Sequence, residues 1–236
     1  MTTQISTRII LAFVLMMTMA ALPNLHAQSK ITAFGSAGIS NIEVNGLGFL
    51  DLLDPYIKPV AQYTAGIQYE RELSRHFAFM TGGQYTSRGF GAKETFNVDM
   101  GIIDLPVNAS LETRINYLEV PVMLKYIIGE GGVQPYIKAG ASTAYAISGK
   151  IQPKVNAIIN WNLPSININL ENDMYNRLDV SGVVGAGISI PTNETGAIQF
   201  DLTYRHSLND MFLDKITDIR IKSHGLSAGV GYTMRF

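Results

Sequence analysis

The end of the chain alternates residue by residue. Leu226, Ala228, Val230, Tyr232, Met234 and Phe236 are apolar, while Gly225, Ser227, Gly229, Gly231, Thr233 and Arg235 between them are small or polar. A period of two puts the sets on opposite faces of a β-strand. The pattern recurs upstream. Ile198, Phe200, Leu202 and Tyr204 alternate with Gln199, Asp201, Thr203 and Arg205, and Val180, Val184, Ala186, Ile188 and Ile190 with Asp179, Ser181, Gly185, Gly187 and Ser189. Leu118, Val120, Val122, Leu124 and Tyr126 face away from Glu119, Met123 and Lys125, and Tyr63, Ala65, Ile67 and Tyr69 away from Gln62, Thr64, Gln68 and Glu70. Segments 76–88 and 133–148 fit less cleanly, and 31–40 carries the faintest signal. Eight strands are predicted, at 31–40, 60–72, 76–88, 114–128, 133–148, 177–190, 197–208 and 219–236.

Connections decide how these strands assemble. Segments 41–59, 89–113, 149–176 and 209–218 read as long loops rich in Asn, Asp and Pro. Between them lie short turns at Leu73-Ser74-Arg75, Gly129-Glu130-Gly131-Gly132 and Pro191 to Gly196. Long and short alternate throughout, as in transmembrane barrels with long outer loops, short periplasmic turns and both chain ends on the turn side. The bulky face suits lipid. The small and charged face suits the interior of eight strands, which is barely wide enough for side chains. A soluble barrel of lipocalin type would instead turn its bulky residues inward. The expected fold is therefore all-β: an eight-stranded antiparallel up-and-down transmembrane β-barrel. Tyr63, Tyr69, Tyr126, Tyr204, Tyr232 and Phe236 sit near strand ends, where aromatic girdles belong.

The first residues follow a different rule. Arg8 precedes an apolar stretch from Ile9 to Leu22, Pro23 ends it, and Leu25-His26-Ala27 precedes Gln28. This is the pattern of a signal peptide, and the stretch falls short of the roughly 20 residues of a spanning helix. Two parts are expected: a signal peptide over 1–27, cleaved near Ala27, and a barrel domain over 28–236. Export and barrel together point to the outer membrane of a Gram-negative bacterium.

Composition narrows the chemistry. Only 16% of residues are charged, against about 25% in soluble domains, and the net charge is −1. That balance argues against a nucleic-acid partner or a polybasic patch. There are no cysteines, which excludes disulfides, thiolate metal sites and a cysteine nucleophile.

One run is more specific. Tyr117-Leu118-Glu119-Val120-Pro121-Val122-Met123-Leu124-Lys125-Tyr126 resembles the signature strand of the PorT-like outer-membrane β-barrel family of Bacteroidetes. Pro135-Tyr136-Ile137-Lys138-Ala139-Gly140, the Gly-rich Asp179–Gly187 strand, Tyr204-Arg205-His206-Ser207-Leu208 and the closing Gly231-Tyr232-Thr233-Met234-Arg235-Phe236 are similar too. The resemblance spans nearly all of the chain after residue 27. It implies a barrel in a largely uncharacterised family whose founding member is an accessory factor of type IX secretion. In the barrels this chain resembles, a terminal aromatic such as Phe236 is the mark read by the insertion machinery, which becomes an expected partner beside outer-membrane lipid.

Candidate chemistry is sparse. Glu70, Arg88, Glu119, Lys125, Lys138, Asp179, Asp201 and Arg205 fall on inward positions, four acids and four bases. Unpaired buried charge is costly, so the balance points to a structural network filling the lumen rather than an ion path. His206, Ser207 and His224 invite a hydrolase reading, but adjacent strand residues face opposite ways and a nucleophile must lie within about 3 Å of its base. Non-enzymatic function is expected. No metal or other cofactor is expected either, since the histidines are dispersed and Asn169-Leu170-Glu171-Asn172-Asp173 lacks the spacing of a calcium loop. Recognition is assigned to the loops, with a protein partner in view. In 149–176 the preferred reading is that the hairpins of the barrel extend beyond the membrane, and Trp161, Leu163, Ile166 and Ile168 form a candidate contact surface as the sharper alternative. Gly46–Leu53 reads as a short plug or a lip on the rim.

Overall fold

The alternating segments become eight long strands, and three short ones join them at one end. The computed structural model describes residues 28–45, 57–99, 104–156, 160–162, 164–168, 176–211 and 220–236. The strands are β1 (Ser29–Asn45), β2 (Ile57–Lys58), β3 (Val60–Glu72), β4 (Phe77–Asp99), β5 (Asp104–Ile127), β6 (Gln134–Asn156), β7 (Asn160–Asn162), β8 (Ile166–Ile168), β9 (Leu178–Pro191), β10 (Gly196–Ser207) and β11 (Arg220–Arg235). Each long strand pairs antiparallel with its chain neighbours, and β1 pairs with β11, which closes the ring. Closure leaves no sheet edge within the ring, the condition for β-structure in hydrocarbon.

Register sets the shape. Stepping through directly paired residues, Ser29, Arg71, Phe79, Leu124, Ala139, Val184, Tyr204 and Leu226 lead back to β1 at Ile39, ten residues beyond the start. With strands about 4.8 Å apart and a rise of about 3.3 Å per residue, that stagger tilts them by roughly 40°. A residue then climbs about 2.5 Å, so an apolar band about 25 Å tall takes about ten residues. On β5 the outward apolar run from Leu118 to Tyr126 has that length.

Inside and outside are inverted relative to a soluble protein. Leu202 is 53% exposed and Leu118 57%, whereas Glu119 and Arg88 are 2% exposed. The outer face is the one with bulky apolar side chains, so the barrel presents itself to lipid. The lumen also holds a small apolar patch of Met80, Met123 and Val183.

Three turns lie where expected. At the second, Gly129, Gly131 and Gly132 take φ of 85°, 74° and 60°, a left-handed region that side chains disfavour. The loop end differs from expectation. Segment 89–113 reads as a loop, but β4 runs on to Asp99 and β5 starts at Asp104. β1 likewise continues to Asn45 and β6 to Asn156. With 23, 24 and 23 residues, β4, β5 and β6 exceed twice the span of the apolar band, so they rise past it as a paired wall. Lipid no longer selects apolar side chains there, so the two-residue alternation fades while the backbone ladder continues. β8 and β7 pair along the outer part of β6, and β2 pairs with Gly91 and Ala92 of β4.

The end of 133–148 departs from strict alternation. Opposite Asn116 and Tyr117 stand Ser148 and Ala146, so Ile147 is an extra residue in β6. This β-bulge changes the strand's facing where it leaves the apolar band. At the same margin, Ser40 replaces a ladder rung: its hydroxyl donates to the Gly89 carbonyl at 2.7 Å and accepts from the Gly89 amide at 2.8 Å. The expected signal peptide and Gly46–Leu53 lie outside the described residues.

Candidate functional site

Lys125 and Lys138 stand directly opposite each other on β5 and β6, and both are buried in the lumen. Like charges so placed repel. The barrel separates them by reaching across in two directions. Lys125 Nζ lies 2.8 Å from Glu70 Oε2 on β3, and Lys138 Nζ lies 2.6 Å from Asp201 Oδ1 on β10. Farther toward the loop end, Arg205 pairs with Glu119, and Arg88 pairs with Asp179. All eight charged residues named from strand parity thus meet as four acid–base pairs in one stack.

Hydroxyls add hydrogen bonds to two of the four carboxylates, Glu119 and Asp179. Thr86 Oγ1 donates to Glu119 Oε2 at 3.0 Å and Ser142 Oγ donates to Glu119 Oε1. Ser207 Oγ donates to Asp179 Oδ1 at 2.9 Å and Ser181 Oγ to the same oxygen at 3.1 Å. Two aromatic rings cover the cations: Lys125 Nζ lies 4.0 Å from the Tyr136 ring centroid, and Arg88 Cζ lies 4.3 Å from that of Tyr117. Gly187 faces Tyr136 across the β6–β9 ladder, where a Cβ would come within 2.6 Å of the ring. The glycines of β9 thus make room for an inward tyrosine.

Lys30 was not singled out by the strand pattern. It is buried at the turn end, 2.6 Å from Glu72 and 3.7 Å from Glu70. Its signal was present, since it continues the inward parity of Thr32, but β1 is the strand with the faintest alternation. Tyr117 and Tyr136 were also missed as lumen residues, because parity gives a facing while their packing on cations depends on partners across the barrel.

The space left over is small and divided. A vestibule of about 260 Å³ opens at the turn end, lined by Lys30, Lys125, Tyr136, Gln199 and Arg235. Beside Glu119, Lys138, Asp201 and Arg205 the lumen holds about 40 Å³, and below Asn209 and Asp210 about 10 Å³. A water needs about 10–15 Å³. Beside the Arg88–Asp179 pair, Ile115, Tyr117, Ala144 and Ala146 form a buried apolar cluster.

The other singled-out residues fall as follows. Ser207 is buried and bonded to Asp179, while His206 lies on the opposite face of β10. His206 and His224 are register partners with stacked rings 6.5 Å apart. In the loop segment, Ile166 is 61% exposed on β8, but Ile168 packs partly against the Ile115–Ala146 cluster rather than presenting itself outward. Trp161 is opposite Val155 in the β6–β7 pairing, and Leu163 lies outside the described residues. Phe236 is 71% exposed, and its amide donates to the Ser29 carbonyl at 3.1 Å, at the seam where β11 meets β1.

Known proteins with this architecture can now be set beside it. A search of curated proteins finds no match. Similar solved structures include Ail, the attachment invasion locus protein of Yersinia pestis, at 16% identity, with 88% of this chain and 99% of that chain covered and a TM-score of 0.38. Others are the outer membrane protein OprG of Pseudomonas aeruginosa, at 11% identity, 89% and 96% coverage and a TM-score of 0.46, and the outer membrane protease OmpT of Escherichia coli, at 8%, 89% and 97%, and 0.35. The sequence itself matches the family described as outer membrane protein beta-barrel domain over residues 27–213. With lipid-facing walls, a closed ring and that match, the chain belongs to the outer membrane protein beta-barrel domain family and is a protein of the Gram-negative outer membrane.

Proposed function

We propose that this protein is a non-enzymatic outer-membrane barrel that acts as a scaffold or binding protein through its loop end, with its lumen kept shut by paired charges. The observation that carries the reading is the stack of four ion pairs across the barrel, where the space beside the Glu119–Arg205 and Lys138–Asp201 pairs is about 40 Å³. A path for solutes would need continuous wet space, and the charges that could line one are bound to each other. The raised wall of β4, β5 and β6, with β7 and β8 on its flank, supplies a rigid surface beyond the bilayer for a protein partner.

Export begins, in this reading, with cleavage of the 1–27 segment near Ala27, and the insertion machinery reads the strand ending at Phe236. Planar-bilayer recording tests the closed lumen: no stepwise conductance is expected. Steady open-channel currents from pure protein would overturn it. The non-enzymatic reading predicts that Ser207→Ala leaves any lipid-deacylating activity of the preparation unchanged.

A second reading has its own support in the resemblance of Tyr117–Tyr126 to the PorT-like barrels of Bacteroidetes. There the protein is an accessory component of a type IX-like secretion or transport assembly, and its partner is another membrane component. Deletion in the native bacterium separates the readings. Loss of secreted proteins favours the assembly, and intact secretion favours the scaffold.

A further inference from the structure

At the loop-end margin of the apolar band, the outward face is electrically lopsided. On one side of the barrel Glu43 of β1 stands directly opposite Lys222 of β11, so charges of opposite sign face one another. On the other side Arg114 of β5 stands directly opposite Lys150 of β6. The two bases hold opposite positions on the ladder, with the Arg114 guanidinium leaning toward Tyr63 of β3. Arg177, just before β9, adds a third. Its Nε and Nη2 donate to the Ala146 carbonyl at 3.3 and 3.2 Å, which anchors it beside β6. Among the described residues none of the three bases has a carboxylate within ion-pair distance, and Glu112 stands one rung farther out on β5.

Their setting is the membrane boundary. Arg177 Cζ lies 4.7 Å above the Tyr145 ring and Arg114 Cζ 6.0 Å from that of Tyr63, both rings on the outer face and about half exposed. Below them begin the lipid-facing Leu118 and Val120 of β5 and Ile147 of β6. Tyrosines at this level mark the head-group layer. Cations laid on interfacial rings are suited to a phosphate held at the depth of a lipid head group.

We propose that Arg114, Lys150 and Arg177 form a binding site for a phosphate-bearing lipid head group at the outer boundary of the bilayer. The site is separate from the lumen and lies at the foot of the wall, where Lys150 of β6 pairs with Asn167 of β8. It would hold the barrel at a fixed depth and give it one preferred flank for phosphorylated glycolipid.

The test uses the full barrel refolded in neutral detergent, with bound lipid counted by native mass spectrometry. Three probes are titrated: a diphosphorylated glycolipid of the lipid A type, the same lipid stripped of both phosphates, and inorganic phosphate. The phosphorylated lipid should be retained, and Arg114→Gln with Lys150→Gln should weaken it about 30-fold, as expected for two cations at an anionic lipid surface. Lys222→Gln, on the balanced side, should leave binding unchanged. Equal retention of the phosphate-free lipid, or full binding by the double variant, would overturn the proposal. Competition by inorganic phosphate as strong as by the lipid would overturn the lipid as its source. Should the double variant fail to fold, Lys150→Gln alone decides, since that exposed side chain is replaced without touching the barrel interior.

Discussion

Glu119 offers the most demanding test of the lumen. It is 2% exposed, pairs with Arg205, and accepts from Thr86 and Ser142. Replacing it with leucine keeps the volume but strands the Arg205 guanidinium, whose side chain is 8% exposed. Leaving one partner of a buried pair uncompensated costs about 3–5 kcal/mol. Two effects set where in that range the value falls. Thr86 keeps an alternative partner in Thr64, 3.3 Å away, so its hydroxyl adds little to the loss. Ser142 loses the acceptor of its bond to Glu119 and adds part of a hydrogen bond, about 1 kcal/mol. We expect about 4 kcal/mol for Glu119→Leu. Adding Arg205→Met should recover most of it, because an apolar pair of similar volume carries no stranded charge. Urea unfolding of the refolded barrel in micelles, followed by tyrosine and tryptophan fluorescence, measures both variants and the coupling between them. A single-variant loss below about 1 kcal/mol would mean that Arg205 is already solvated. The lumen would then be wet and its ion pairs incidental.

Three further outcomes follow from the same geometry. Leu202→Arg, on the outward face of β10, should destabilise the membrane-folded state by about 2–4 kcal/mol if it sits at mid-depth, seen as incomplete heat-modifiable migration after refolding into vesicles; a neutral result would reverse inside and outside. Gly187→Val drives a side chain into the space of the Tyr136 ring, so we expect a loss of about 1–3 kcal/mol and a changed tyrosine environment in near-ultraviolet circular dichroism. In a double-mutant cycle Gly187→Val should cost less in the Tyr136→Ala background, while the clash of its Cβ with the Phe200 carbonyl persists. Ser40→Ala removes both bonds to Gly89 where the regular ladder is interrupted, costing about 1–3 kcal/mol, and the Gly89 amide should exchange with solvent markedly faster.

Strand parity by itself determined much of this protein. Because lipid rewards one face and a narrow lumen the other, the residues from Leu226 to Phe236 and from Ile198 to Arg205 carry their facing in the order of side chains. The eight lumen charges could therefore be named from the sequence, together with the turns at 73–75, 129–132 and 191–196. What the chain order could not say is who meets whom. Lys125 and Lys138 are neighbours on the ladder, yet their partners come from β3 and β10, across a ring whose ten-residue stagger is a property of closure. The continuation of β4 and β5 through 89–113 was also hidden, since beyond the bilayer no solvent boundary imposes a period of two and only backbone pairing sustains the strands, whereas 149–176 already read as an extending hairpin. Ile147 illustrates the limit: a single extra residue shifts the register of everything after it. The Arg114–Lys150 opposition belongs to the same class, for which bases face each other depends on inter-strand register, and register is decided by the closed barrel.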